Sequence, residues 1–158
     1  MQKIWIQKRM QFLYNLESKK DFARKLMKSL SDKRLLLFCG SINQAEDLYP
    51  NTFHSKSSDK GLQKFIDGKE SILSCVDALN EGVNIPNVDA AIIVQAKSKQ
   101  RHMVQRVGRI VRYREGHLGE IYILCAAGTQ DETWVTKALS EFDKSAIKHI
   151  YAKDFDFS

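Results

Sequence analysis

The spacing of apolar residues changes character along the chain. Between residues 7 and 30, Met10, Leu13 and Leu16, then Phe22, Leu26 and Leu30, recur near helical intervals, which predicts helix, with the polar "ESKKD" as a candidate break between two helices. From residue 34 the pattern becomes short apolar runs, "RLLLFC" at 34–39, "SILSCV" at 71–76, "DAAIIVQ" at 89–95 and "GEIYILC" at 119–125, with "NTFHS" at 51–55 read as a further short strand. Runs of this length, apolar on both alternating faces, predict buried parallel strands. Helical patterns separate them. "INQAEDL" follows "GS". "SSDKGLQKFIDGK" has Ser58 or Asp59 as a cap, Leu62, Phe65 and Ile66 on one face, and a stop at Gly68. A helix is predicted over 100–113. A last one opens at Thr129, with Glu132 completing a capping box and Trp134, Ala138 and Phe142 on one stripe.

Strands alternating with helices predict βαβ units, hence an α/β fold: a parallel sheet of about five to six strands covered by helices on both faces. The simplest division is a helical lead-in at 1–33, an α/β domain at 34–145 and a loosely held tail at 146–158. Ligands of such sheets sit at the carboxyl ends of the strands. Here those loops are "CGS" (39–41), "HSKSS" (54–58), "VDALNEGVNIP" (76–86), "QAKSKQ" (95–100) and "AAGTQ" (126–130).

Composition narrows the function. The chain has 158 residues, 43% of them apolar, and two prolines, which argues for a folded core and against disorder. No apolar run is long enough to span a membrane, and the start lacks the apolar stretch of a signal peptide. Cys39, Cys75 and Cys125 lie far apart and read as reduced core residues of a cytoplasmic protein. Neither they nor the scattered histidines have metal-site spacing. Net charge is +6, unevenly spread. Residues 1–34 hold ten Lys and Arg against three acids, and residues 97–114 hold seven against none, so each island carries +7 and the remainder about −8. Two basic islands on an acidic body point to a polyanion. The first also fits a solvated Lys-rich helix face.

The second island is the more telling. In a helix advancing about 100° per residue, Gln105, Arg109 and Arg112 fall within about 60° of arc, Val104, Val107 and Val111 occupy another face, and Gly108 lies between. The valines would anchor the helix, while two guanidinium forks face an anion that such forks bind through paired oxygens. A nucleotide triphosphate and a nucleic-acid backbone both fit. No phosphate loop G-x-x-x-x-G-K-[ST] occurs; the nearest imitation, "GKES" at 68–71, has Glu70 where a hydroxyl is needed. "DETW" at 131–134 opens a capped helix and reads as cap chemistry.

These stretches carry a family resemblance. "QRVGRIVR" (105–112) resembles motif VI of superfamily 2 helicases, "ILSCVDALNEGVNIP" (72–86) resembles motif V, "LLLFCGS" (35–41) resembles motif IV, and "FHSKSSDKGLQKFIDGK" (53–69) is similar to the segment between them. "LNEGVNIP" together with "QRVGRIVRYREG" looks most like the DNA-directed branch: restriction-type translocases, repair and transcription helicases, and phage branch-migration helicases. The DEAD-box group differs in starting motif VI with histidine. The resemblance implies the second RecA-like domain of a two-domain motor. By that likeness Arg112 would be the arginine finger on the γ-phosphate, Arg109 its companion, and Gln105 the nucleotide sensor. Gly82 would approach the nucleotide by backbone, and Asn84 would stand near the ribose. Ser41, Ser55, Lys56 and the Val76–Asp77 turn would face the nucleic-acid backbone, with Lys97 and Arg101 of the second island among the contacts. Two positions depart from the family pattern: Val76 replaces a threonine and Asn84 an aspartate, removing one hydroxyl donor and one charge.

The implied partners are DNA, with RNA as the alternative polymer, and an N-terminal RecA-like ATPase domain holding ATP and Mg2+ in its own phosphate loop; no membrane is implied. Without that domain the chain would not hydrolyse ATP. The rival expectation is a free-standing, helicase-derived nucleic-acid-binding or regulatory module without catalysis, starting at Met1.

Overall fold

A computed structural model describes residues 17–77, 85, 87–96, 107–108, 110–111, 119–140, 142 and 144–158. Among the described residues the elements follow in the order α1 (Glu17–Ser29), β1 (Leu35–Phe38), α2 (Ile42–Leu48), β2 (Thr52–His54), α3 (Lys60–Ile66), β3 (Ile72–Val76), β4 (Ala90–Ile93), β5 (Glu120–Ile123) and α4 (Gln130–Ala138). The strands form one parallel sheet in the order β2-β3-β1-β4-β5. Every apolar run read as a strand is one.

The central strands are buried on both faces because their side chains alternate. Leu36 and Phe38 of β1 and Ala91 and Ile93 of β4 join Leu62 and Phe65 of α3, Val107, Val111 and Ala138 of α4 in one core layer. Leu35, Leu37, Ala90 and Ile92 join Ala23, Leu26 and Leu30 of α1 and Ala45 and Leu48 of α2 in the other. Fully burying a Leu, Ile or Phe side chain is worth about 1.5–3 kcal/mol, so these two layers dominate the folding free energy. The apolar stripe of α1 lies in the second layer, with Ala23, Leu26 and Leu30 buried beside Ala45 and Leu48 of α2.

Two expectations need correction, one for the tail and one for Cys125. The tail is not loosely held. Phe155 and Phe157 alternate with Asp154 and Asp156, and both rings reach Phe22 of α1, with centroids 5.5 and 5.2 Å away. Phe155 also meets Tyr122 of β5 edge-on at 6.2 Å. This small aromatic cluster ties the last residues to the second core layer. Cys125 is not a core cysteine: Cys39 and Cys75 are buried, but Cys125 is exposed, two residues beyond the end of edge strand β5.

The start of α3 approaches β2 so closely that only glycine fits. A Cβ on Gly61 would lie 2.4 Å from the Thr52 carbonyl oxygen, while the Asn51 amide clamps the junction by donating to Gly61 O and Ile72 O, each at 3.1 Å. The obstructing atom is backbone in a strand, so it cannot swing aside. Gly61→Ala is therefore expected to destabilise the domain by about 1–3 kcal/mol through overpacking, outweighing the roughly 1 kcal/mol that alanine gains in helix propensity. Urea unfolding checks this; an unchanged or raised midpoint would contradict it.

Candidate nucleotide and nucleic-acid edge

Parallel strands send all their carboxyl ends to one edge. Three of those ends lie side by side and level, because Phe38 of β1 pairs with Cys75 and His54 of β2 pairs with Val76 of the intervening β3. The loops that follow carry five of the predicted contacts: Ser41, Ser55, Lys56, Val76 and Asp77. Ser41 is the N-cap of α2; its hydroxyl oxygen accepts from Gln44 N at 3.2 Å, which leaves the O–H free to donate outward. The Gln44 side chain reaches back and accepts from Gly40 N at 2.9 Å, fixing the turn between strand and helix.

After β2, His54 organises a tight turn. It is buried; its ring Nδ1 accepts from Lys56 N at 3.2 Å, its backbone N–H donates to Ser57 Oγ at 2.9 Å, and its backbone carbonyl accepts from Ser57 N at 3.0 Å. Its Nε2 lies 3.8 Å from Glu46 Oε1. The imidazole is thus a turn brace, and it leaves Ser55 and Lys56 exposed at the tip. At the end of β3, Val76 is buried, whereas Asp77 is exposed with φ of 52°. Aspartate tolerates that left-handed conformation better than most residues, and it breaks the strand at the point where motif V begins its loop. Beneath this edge the Cys39 thiol, held 3.6 Å from Ser74 Oγ, is pushed up to about 12 by burial and is chemically inert.

Arg109, Arg112, Gln105, Gly82, Asn84, Lys97 and Arg101 lie outside the described residues. What anchors the arginine segment is described. Val107, Gly108 and Ile110 are helical, and Val111 N closes the turn on Val107 O at 2.9 Å. Val107 and Val111 are buried in the first core layer. A Cβ on Gly108 would stand 3.3 Å from the Phe142 ring, so this glycine does permit a close approach.

Beside these loops, at the ends of β4 and β5, sits a buried polar cluster. Lys19 of α1 donates to Gln95 Oε1 at 2.8 Å and forms an ion pair with Asp131 of α4. Gln95 Nε2 donates to Asp131 Oδ1 at 2.6 Å, and Ala126 N donates to Asp131 Oδ2 at 2.9 Å. Lys19 is 5% exposed, Gln95 1% and Asp131 0%. Burial lowers the Lys19 pKa, opposed by its bond to Asp131. The cluster joins helices from opposite faces of the sheet across its carboxyl edge. Sequence reasoning took Asp131 for cap chemistry. The N-cap is Thr129, which accepts from Asp131 N at 3.2 Å, but the carboxylate points inward.

Five of the seven described cations of the first basic island are engaged by this chain's own groups, Lys19 in the buried cluster among them. Lys20 pairs with Glu17 and Asp47, Arg24 with Asp21 and Asp47, and Lys33 with Glu120. Arg34 donates to the carbonyls of Asn87 and Phe65 at 3.1 and 2.8 Å and stacks on the Phe65 ring at 4.2 Å. Among the described residues, the carboxyl edge is where predicted anion contacts come together.

Comparison with known proteins agrees with this reading. The model of the helicase conserved C-terminal domain matches residues 18–114. A DNA 3'-5' translocase XPB2 of Sulfurisphaera tokodaii is 26% identical over 109 residues, covering 64% of this chain and 25% of the relative. A pre-mRNA-processing ATP-dependent RNA helicase PRP5 of Vanderwaltozyma polyspora is 28% identical over 138 residues, 78% of this chain and 16% of the relative. The chain thus spans a quarter or less of the length of these relatives. In fold it is similar to the E. coli DEAD-box protein SrmB, with a TM-score of 0.62 at 17% identity over 82% of this chain and 81% of that one. A DEAD box protein from Methanococcus jannaschii gives 0.63 at 18% identity over 78% and 37%. The match over 18–114 spans more than half of the sequence, and the parallel sheet and carboxyl-edge loops are those of a RecA-like domain: the chain belongs to the helicase conserved C-terminal domain family.

Proposed function

We propose that this chain is the second RecA-like domain of an ATP-driven DNA helicase or translocase. Its partner would be a phosphate-loop domain that holds ATP and Mg2+. This chain would contribute Arg109 and Arg112 toward the γ-phosphate, Gln105, Gly82 and Asn84 around the nucleotide, and Ser41, Ser55, Lys56 and Asp77 along the nucleic-acid backbone. Lys97 and Arg101 would extend that backbone contact. The observation that carries the reading is the level row of loops after β1, β3 and β2, on a sheet against whose first core layer a helical turn at 107–111 is held by the buried Val107 and Val111. DNA is favoured over RNA by the motif VI that opens on Gln105 and by the "LNEGVNIP" form of motif V.

Contacts of this kind go to phosphates, so binding should ignore sequence and fall with salt. Salt-titrated binding of the chain to single-stranded, duplex and branched DNA and to RNA tests the polymer preference. Lys56→Glu is expected to weaken binding several-fold on every sequence and to reduce the salt slope by about 1; unchanged affinity and slope would remove Lys56 from the interface. The chain alone should show no ATP turnover, and turnover by the pure chain would overturn the division of labour with a phosphate-loop domain.

A further inference from the structure

The segment after α4 leaves its apolar residues in two different places. Phe155 and Phe157 turn inward onto Phe22, but Ile150 is 54% exposed and Tyr151 73% exposed. Lone surface hydrophobics are ordinary. These two are adjacent and lie within "KSAIKHIYAK" (144–153), which holds three lysines and a histidine and no acid. Lys144, Lys148, His149 and Lys153 are all exposed. The three lysines have no carboxylate partner among the described residues, unlike Lys20 and Arg24 of α1. The Lys153 ammonium lies 5.9 Å from the Tyr151 ring centroid. Tyr151 is also held in place: Asp154 N bonds to Tyr151 O at 2.9 Å, and the phenylalanine anchors follow directly.

An exposed ring on an anchored backbone, with one ammonium 5.9 Å from its centroid and two more exposed lysines in the same short segment, has the chemistry of a platform for single-stranded nucleic acid. A base stacks on the ring, and the flanking phosphates meet the lysines. We infer that residues 144–153 form a second nucleic-acid contact, with single-stranded DNA stacking on Tyr151 and its phosphates held by Lys144, Lys148 and Lys153. The inference rests on the nucleic-acid reading above, but it concerns a surface beyond residue 114, where the family model ends. It assigns a role to a tail that neither the arginine helix nor the carboxyl-edge loops use.

The test is fluorescence anisotropy of a labelled oligodeoxythymidine and of a labelled duplex with the full chain. Stacking on one aromatic ring is worth about 1–3 kcal/mol per base, so Tyr151→Ala should weaken single-strand binding about five-fold or more while leaving duplex affinity unchanged. Tyr151→Phe should bind like the parent, since the ring and not the hydroxyl does the stacking. Lys148→Glu with Lys153→Glu should lower both affinity and salt slope. These side chains are exposed, so the variants should fold, which their unfolding midpoints will show. Single-strand affinity unchanged in Tyr151→Ala, with Lys56→Glu still weakening it, would overturn the tail site and leave the carboxyl-edge reading intact. Loss in Tyr151→Ala with none in Lys56→Glu would support the tail site and count against the edge. Should sedimentation show that the parent self-associates and Tyr151→Ala does not, with DNA binding unaltered, the surface is a protein contact and the inference fails.

Discussion

Arg112→Ala, made in this chain joined to its phosphate-loop domain, is expected to cut nucleic-acid-stimulated ATP turnover by about 10³–10⁵-fold, the range associated with arginine fingers. Nucleic-acid affinity measured without nucleotide should change little. The expectation rests on the sequence pattern and on the anchoring of its helix. Val107 and Val111 are buried in the first core layer, and Gly108 lets Phe142 close against the same turn. In a regular helix the positions of Gln105, Arg109 and Arg112 fall on the side away from those valines. A guanidinium presented there from a fixed turn stabilises negative charge only when the two domains close, so its loss should appear in kcat far more than in ground-state binding. Arg112→Lys separates charge from shape: it keeps the cation and loses the planar fork, and should recover only part of the rate. ATP turnover within a few-fold of the parent in Arg112→Ala would remove the finger assignment and leave the domain as a nucleic-acid grip alone.

What could be read from the sequence was what local pattern controls. A run such as "LLLF" is apolar at every position because both faces of β1 are covered, and no other element of this length needs that. Gly68 at φ of 79° ends the α3 region where the pattern stops. The valine spacing around Gly108 located a buried helical face correctly. Reading failed where the deciding partner is distant in sequence. Lys19 reads as one charge of the first basic island and Asp131 as part of a helix cap, since nothing near either residue says that a third group, Gln95, will bury both. The first basic island looked available for a polyanion because Asp47 and Glu120, which take up Lys20, Arg24 and Lys33, come from other elements. The tail was different, for its signal was present: Phe155 and Phe157 alternate with aspartates, the pattern of an extended segment with one apolar side. It was overlooked because terminal residues are so often frayed.

The buried cluster makes the second large prediction. Lys19→Met removes the ammonium and leaves the Asp131 carboxylate fully buried, with Gln95 and Ala126 N as partners but no counter-charge. Breaking a buried pair from one side typically costs about 3–5 kcal/mol. That is a large fraction of the roughly 5–15 kcal/mol by which domains are stable, so the single variant should unfold at a much lower urea concentration. Replacing both ends, Lys19→Met with Asp131→Leu, removes the uncompensated charge and fills similar volume with apolar atoms. It should recover most of the loss, and apolar replacements of buried pairs sometimes exceed the parent. The contrast between single and double variants is the measurement, because a purely local packing defect at Lys19 would persist in the double variant. A Lys19→Met midpoint close to the parent's would mean that the pair does not hold α1 to α4. If the contrast holds, the cluster is a tie of charge and hydrogen bonds where an apolar contact would have been the simpler choice. Gln95 makes that choice consequential, for it stands at the start of the loop leading to the arginine segment. Fixing its amide between Lys19 and Asp131 sets where that loop leaves the sheet, so the double variant should keep its stability while the chain around residues 95–96 exchanges its amide protons faster.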